Sequence, residues 1–247
     1  MASCDKLQFC DSLIVRFHEN AMHCWICGSI AETGEHMIKV SDLRDIFGHT
    51  TTKTPLYRKV NNEHPEIVQG ANSPKLKFQT KLCAECNNAR TQHHDRSWEA
   101  LARYFRNRSV PVTPGGVVRP VRAFSQGLRP GLLGVHLYFC KLTGCLIHDA
   151  GVPLETDSLA KAILENVPHQ NVYLAFLAVT SRRLQNWAVL TPVETISVRG
   201  SLVGAQWFYF VGRIGVHITY ATHIHRPSKA NLWHPSSSAK TLTFGKM

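Results

Sequence analysis

Four cysteines fall into two pairs of one spacing, Cys24-Trp-Ile-Cys27 and Cys83-Ala-Glu-Cys86, with residues 28–82 between them. Each pair sits in a turn-like context, Gly28 following the first and Asn87 the second. Two such knuckles supply four thiolates, the tetrahedral shell that structural Zn²⁺ favours, and a closed shell leaves that ion no position for chemistry. The first residues, MASCDKLQFCDSL, lack the basic start and apolar core of a secretory signal. Metal is therefore expected before disulfide. Chemistry would fall to groups near the knuckles. Glu35 and His36 lie shortly after the first, and Asn87 directly follows the second. If one ion pins both knuckles together, these three converge. A carboxylate and an amide oxygen are hard ligands suited to Mg²⁺ or Mn²⁺, and an adjacent imidazole can accept a proton from water. That combination suits hydrolysis of a phosphodiester.

The elements that must position these groups follow from patterning. Residues 1–20 read as a short amphipathic helix, with Leu7, Phe9, Leu13, Ile14 and Phe17 on one side. Residues 35–48 read as a strand entering a short helix, with Asp42 near its start and Gly48 past its end. The polar, proline-bearing stretch 49–74 reads as an irregular excursion. Residues 75–82 alternate like a strand leading into the second knuckle. A helix follows, with Asp95 as its expected N-cap and Trp98, Leu101, Ala102 and Phe105 on one face. Prolines and glycines make 109–130 a linker. Residues 131–148 predict a buried helix, with Cys140 and Cys145 as small apolar residues. Thr156 or Asp157 caps another helix, and about four antiparallel strands follow to residue 221. Residues 226–247 read as loosely ordered.

The run Cys-x-x-Cys, Glu-His, Leu-Cys-x-x-Cys-Asn resembles the HNH endonucleases, whose core is a zinc-bound ββα-metal unit. The pieces that carry the likeness are Cys24-Trp-Ile-Cys27, Gly34-Glu-His-Met-Ile38 and Leu82-Cys-Ala-Glu-Cys-Asn-Asn-Ala-Arg-Thr91, within residues 20–105. The resemblance implies His36 as general base, Glu35 and Asn87 as ligands of a catalytic Mg²⁺ or Mn²⁺, and Cys24, Cys27, Cys83 and Cys86 as the structural Zn²⁺ site. It implies cleavage of DNA, most often double-stranded, to 5′-phosphate and 3′-hydroxyl ends. Glu35 stands where the family usually has Asp, and Phe78 and Gln79 occupy the region of an Asn that supports the histidine loop. Some members use a late histidine as a further ligand; His94 is the candidate, the other reading being an exposed His93–His94 pair. Arg90 is a candidate for gripping the scissile phosphate, or else a surface arginine. Trp25 and Trp98 read as core. His23 would compete for a zinc shell that is already full. Lys75, Lys77 and Lys81 read as phosphate contacts or as a solvated strand face.

The expected fold class is thus α+β: a zinc-stabilised HNH domain over 1–108, a linker over 109–130, and a basic α+β domain with antiparallel strands and a smaller sheet over 131–247. The chain has 247 residues and a net charge of +11. Residues 1–110 carry 15 basic and 12 acidic groups and residues 111–247 carry 13 and 5, so the excess lies mainly in the second part. A basic surface attracts polyanions. The second part, with Arg182, Arg183, Arg199, Arg213 and Arg226, is expected to hold DNA, a protein partner or a second copy. His217, His223 and His225 read as scattered strand and loop histidines. No apolar run approaches the roughly 20 residues that span a bilayer, so no membrane is expected and the location is read as cytoplasmic. By analogy alone, phage defence or a mobile element is a setting for such a nuclease. The competing class is a non-catalytic zinc-ribbon protein that binds nucleic acid, with Glu35-His36 incidental. RNA or branched DNA remains open as a substrate.

Overall fold

The computed structural model describes residues 23–51, 53–61, 63–221, 232–236 and 240–247. The expected helix over 1–20, together with Cys4, Cys10, His223, His225 and Arg226, lies outside these residues. The described chain is a mixed α+β protein. It begins with the first knuckle, then β1 (Thr33–His36), α1 (Val40–Phe47), a small hairpin of β2 (Leu56–Arg58) and β3 (Glu66–Val68), and β4 (Lys77–Leu82). A single π-type turn, Glu85–Arg90, carries the second knuckle into α2 (Gln92–Arg106). Then come β5 (Val117–Val118), α3 (Leu128–Asp149), α4 (Asp157–Glu165), β6 (Val172–Ala178), β7 (Ala188–Leu190), β8 (Glu194–Val198), β9 (Ser201–Val211), β10 (Ile214–Ala221) and β11 (Leu242–Lys246).

β1 pairs antiparallel with β4, and the register slips: Gly34 faces Lys81, whereas His36 faces Lys77. The surplus backbone therefore lies in β4, as a bulge. Its amides are not left open. Asp149, at the end of α3, accepts from Gln79 N at 2.9 Å and from Thr80 N at 2.6 Å. The strand that faces Glu35 and His36 is thus braced by a carboxylate from α3.

The large sheet has seven strands, ordered β5-β11-β6-β10-β9-β7 with β8 also on β9. It is antiparallel except where β11 lies parallel to β6. The expectation of about four strands in a smaller sheet is corrected here. β5 comes from the stretch read as a linker, and β11 from the polar tail read as loose. Alternation explains the tail: Leu242 and Phe244 are buried, while the residues between and after them are not. The excursion 49–74 likewise contains the β2–β3 hairpin.

One apolar core runs from the first knuckle to β11. The segment 109–130 therefore skirts a shared core and does not separate two cores. α3 lies at its centre, against α2, α4, β4 and β6. It is the one helix among the described residues long and apolar enough to cross a bilayer, and it is almost wholly enclosed by protein. Close approach is purchased with glycine. A Cβ at Gly134 would lie 2.3 Å from Ser97 Oγ of α2, and one at Gly144 would lie 2.3 Å from the Trp25 ring. Trp25 and Trp98 are core residues, as expected. Trp98 Nε1 donates to Asp42 Oδ2 at 2.7 Å. Asp42 also accepts from Tyr209 OH at 3.0 Å and from Arg106 Nη1 at 2.7 Å. This buried carboxylate joins α1, α2 and β9, and its three charge-assisted bonds offset its desolvation.

Candidate active site

Two polar clusters sit side by side where the knuckles meet β1. The first is sulfur. Gly28 takes φ +76°, a conformation open to glycine, and its amide closes the first knuckle on Cys24 O at 2.7 Å. In the second, the Cys86 amide reaches Cys83 Sγ at 3.3 Å. The sulfurs of Cys24, Cys27, Cys83 and Cys86 all lie within 4.8 Å of one another. A four-sulfur shell around Zn²⁺, with bonds of about 2.3 Å, places its sulfurs about 3.8 Å apart. The donor set and its compactness fit that ion. Cys27, the least buried, is held down to about 6: slight burial opposes its thiolate, but hydrogen bonds from Ser29, Cys86 and Cys83 outweigh it. Burial pushes the Cys24 and Cys86 thiols up, so metal capture would release protons from these sites.

The second cluster lines a cavity of about 560 Å³ whose walls include Glu35, His36, Asn87, Asp95 and Arg96. Glu35, His36 and Asn87 are thus brought together. β1 supplies the first two, and the π-type turn supplies the third immediately after a cysteine. Asn87 Nδ2 donates to Thr33 Oγ1 at 3.0 Å, which fixes the amide, while its buried Oδ1 has no hydrogen-bond partner. His36 Nε2 is likewise buried without one. Both are among nine buried side-chain atoms without a partner among the described residues, and these two belong to residues that line the cavity. Burial, then the charges of Lys77, Lys39 and Lys141, hold the His36 imidazole down at about 4. It is therefore neutral at pH 7, and a weaker base than a free imidazole.

Glu35 is 5% exposed. Burial raises its carboxyl above the usual range, with Lys141 opposing and Asp95 adding to the rise. Glu35 Oε2 lies 3.2 Å from Lys141 Nζ. The same ammonium donates to Asp95 Oδ1 at 2.7 Å and to Thr91 Oγ1 at 3.2 Å. Lys39 Nζ takes Asp95 Oδ2 at 2.8 Å. Burial opposes Asp95's charge, but these two lysines outweigh it and hold its carboxyl below the ordinary range.

Two expected site residues lie elsewhere. Arg90 Nη1 donates to Cys86 Sγ at 3.2 Å and does not line the cavity; Arg96 does. His94 is fully buried, its Nε2 3.1 Å from Asn166 Oδ1 at the end of α4. Its expected place beside Asn87 assumed one continuous α-helix, and the π-type turn ending at Arg90 changes the phase before α2 begins. Nor does Asp95 cap α2; Thr91 holds that position and Asp95 points inward from the first turn. Lys77 lines the cavity, whereas Lys75 pairs with Glu66 at 2.6 Å on the surface. His23 approaches Gly28 O at 3.1 Å and leaves the sulfurs alone. His217 stacks on Phe208.

Asp95, Lys141, Lys39, Arg96 and Asp149 are the residues that sequence reading missed. Lys141 left one trace, a cation inside an otherwise apolar helical run. No family model, curated protein or solved structure matches this chain.

Proposed function

We propose that the protein is a divalent-metal-dependent endonuclease of the HNH kind, with DNA, most often double-stranded, as substrate. The convergence of Glu35, His36 and unpartnered Asn87 Oδ1 on one cavity beside the four-sulfur cluster carries this reading. The order β1, β4, α2 around that cluster supports a ββα-metal unit. Glu35 and Asn87 are the residues to hold Mg²⁺ or Mn²⁺, and Zn²⁺ belongs to the thiols. A bound divalent ion supplies Lewis acidity that offsets charge on the phosphate and on the departing 3′ oxygen. His36, neutral and unpaired, takes a proton from a water whose oxygen attacks phosphorus. The P–O3′ bond breaks, the 3′ oxygen gains a proton, and 5′-phosphate and 3′-hydroxyl ends result. The basic surface of 131–247 then serves DNA or a protein partner, in a reducing cytoplasm that spares the thiols.

The test is plasmid nicking with Mg²⁺ or Mn²⁺, with and without chelator. Nicked or linear product that chelator abolishes supports the reading. One observation favours a second reading: Glu35 already has an ammonium partner in Lys141, as a carboxylate with a purely structural task would. A zinc-ribbon protein that binds nucleic acid without cutting it would retain DNA in a gel shift and yield no product under either ion.

A further inference from the structure

Lys141 is an unusual residue for its position. α3 is apolar and buried for most of its length, and Lys141 in its middle is 0% exposed. Enclosing an ammonium costs several kcal/mol unless charge and hydrogen bonds replace its water. Here three oxygens do so: Asp95 Oδ1 at 2.7 Å, Thr91 Oγ1 at 3.2 Å and Glu35 Oε2 at 3.2 Å. They come from α2, from the junction of the second knuckle with α2, and from β1. Thr91 in turn donates to Cys86 O at 2.8 Å. One nitrogen therefore ties the strand that bears Glu35 to the turn that bears Asn87. Without it, Glu35 would lose its ion-pair partner and face the Asp95 carboxylate, which would keep only Lys39. Asp95 spends both oxygens on Lys141 and Lys39, whereas Glu35 lines the open cavity with only Oε2 engaged by Lys141.

We propose that Lys141 is a positioning residue that fixes the Glu35 carboxylate for a divalent ion, so that the metal-holding wall of the cavity is completed by the central helix of the second half. This rests on the endonuclease reading for the identity of the site. Lys141 touches neither ion nor substrate and acts through Glu35. Residues that orient a metal ligand typically alter metal affinity by about 10–100-fold when removed.

The experiment measures Mn²⁺ binding to the full chain by the loss of the free-ion electron paramagnetic resonance signal, with nicking assayed in parallel. Lys141→Met is expected to weaken Mn²⁺ binding by about 10–100-fold, with zinc content and far-ultraviolet circular dichroism unchanged. Binding within about threefold of wild type would overturn the proposal. If Lys141→Met loses zinc or helical signal, Lys141→Met/Asp95→Asn removes the ammonium together with one carboxylate and is held to the same two outcomes. Wild-type protein that takes no Mn²⁺ overturns the proposal too. Wild-type protein that binds Mn²⁺ and cuts nothing removes only the endonuclease reading, and the Lys141 comparison still decides the positioning role.

Discussion

The sulfur cluster and the cavity beside it are built from the same two pieces of chain, yet they solve opposite problems. Cys24 and Cys27 precede β1 and Glu35 and His36 lie on it; Cys83 and Cys86 end where Asn87 begins. The four sulfurs gather within 4.8 Å and face one another. The cavity instead leaves Asn87 Oδ1 and His36 Nε2 without partners. A closed set of identical donors favours one ion and contributes to folding. An open set of unlike donors retains unspent hydrogen-bonding capacity for something that arrives. If the proposed reading holds, stability and chemistry are divided between adjacent residues, so substitutions in the two clusters should fail in different ways.

The largest failure belongs to the sulfur side. Structural zinc contributes on the order of 10 kcal/mol of folding free energy in small metal domains. Cys86→Ser, or zinc removal by a strong chelator, should unfold β1, β4 and the start of α2, seen as lost zinc and a collapsed thermal transition. A variant that keeps the wild-type melting temperature without zinc would erase the division. His36→Ala should do the reverse. Cleavage should fall by about 10²–10⁴-fold, the range for losing a general base, at unchanged zinc content and melting temperature. Undiminished nicking by that variant would break the assignment of chemistry to the cavity.

The two sides also differ in how much of them the sequence exposes. The sulfur cluster is legible because each half of it is local: two cysteines three apart in a turn. The buried faces of α2 and α3 are legible for the same reason, since helical periodicity is a short-range signal. Glu35, His36 and Asn87 become a site only through the assumption that zinc joins the knuckles. What supports them was out of reach. Lys141 meets Asp95 across 46 residues, and Asp149 meets the β4 bulge across about 70. No spacing rule encodes a pairing between a helix and a bulge so far apart. β5 and β11 were hidden differently, as short strands within stretches rich in proline, glycine or polar residues, recruited by the edge of a sheet formed elsewhere.

A third set of groups sharpens the contrast between open and closed sites. His94 and His169 are more deeply buried than His36 and lie within hydrogen-bond distance of Asn166 and Ser158 respectively. Burial, the largest influence on each, holds both at about 4, and it also drives His136 well below its ordinary value. An imidazole with an unfolded value near 6.5 and a folded value near 4 binds more protons when unfolded throughout that interval. Stability therefore rises with pH across it and falls as pH drops from 6.5 towards 4. At pH 5 each of the two would cost about 2 kcal/mol. Urea midpoints should fall accordingly between pH 7.5 and pH 5, with zinc content followed in parallel. Equal midpoints would mean that these rings are protonated or solvated in the native protein.

The smallest effect tests which side of the boundary an arginine serves. Arg90, half-buried, and Arg96, exposed, both follow the second knuckle closely. Arg90 directs Nη1 to Cys86 Sγ at 3.2 Å, whereas Arg96 stands on the cavity wall and also borders a neighbouring groove of about 840 Å³. Exposed charge contacts are worth at most about 1 kcal/mol, so Arg96→Ala should raise KM for DNA by up to about fivefold. It should also flatten the salt dependence of binding, because one phosphate contact is lost. Arg90→Ala should leave KM and the salt slope alone and speed zinc release to a chromogenic chelator, since the guanidinium shields a thiolate and grips no phosphate. The reverse outcome, with Arg90→Ala moving the salt slope and Arg96→Ala inert, would place the DNA backbone across the sulfur cluster and shift the substrate path to the other side of β1.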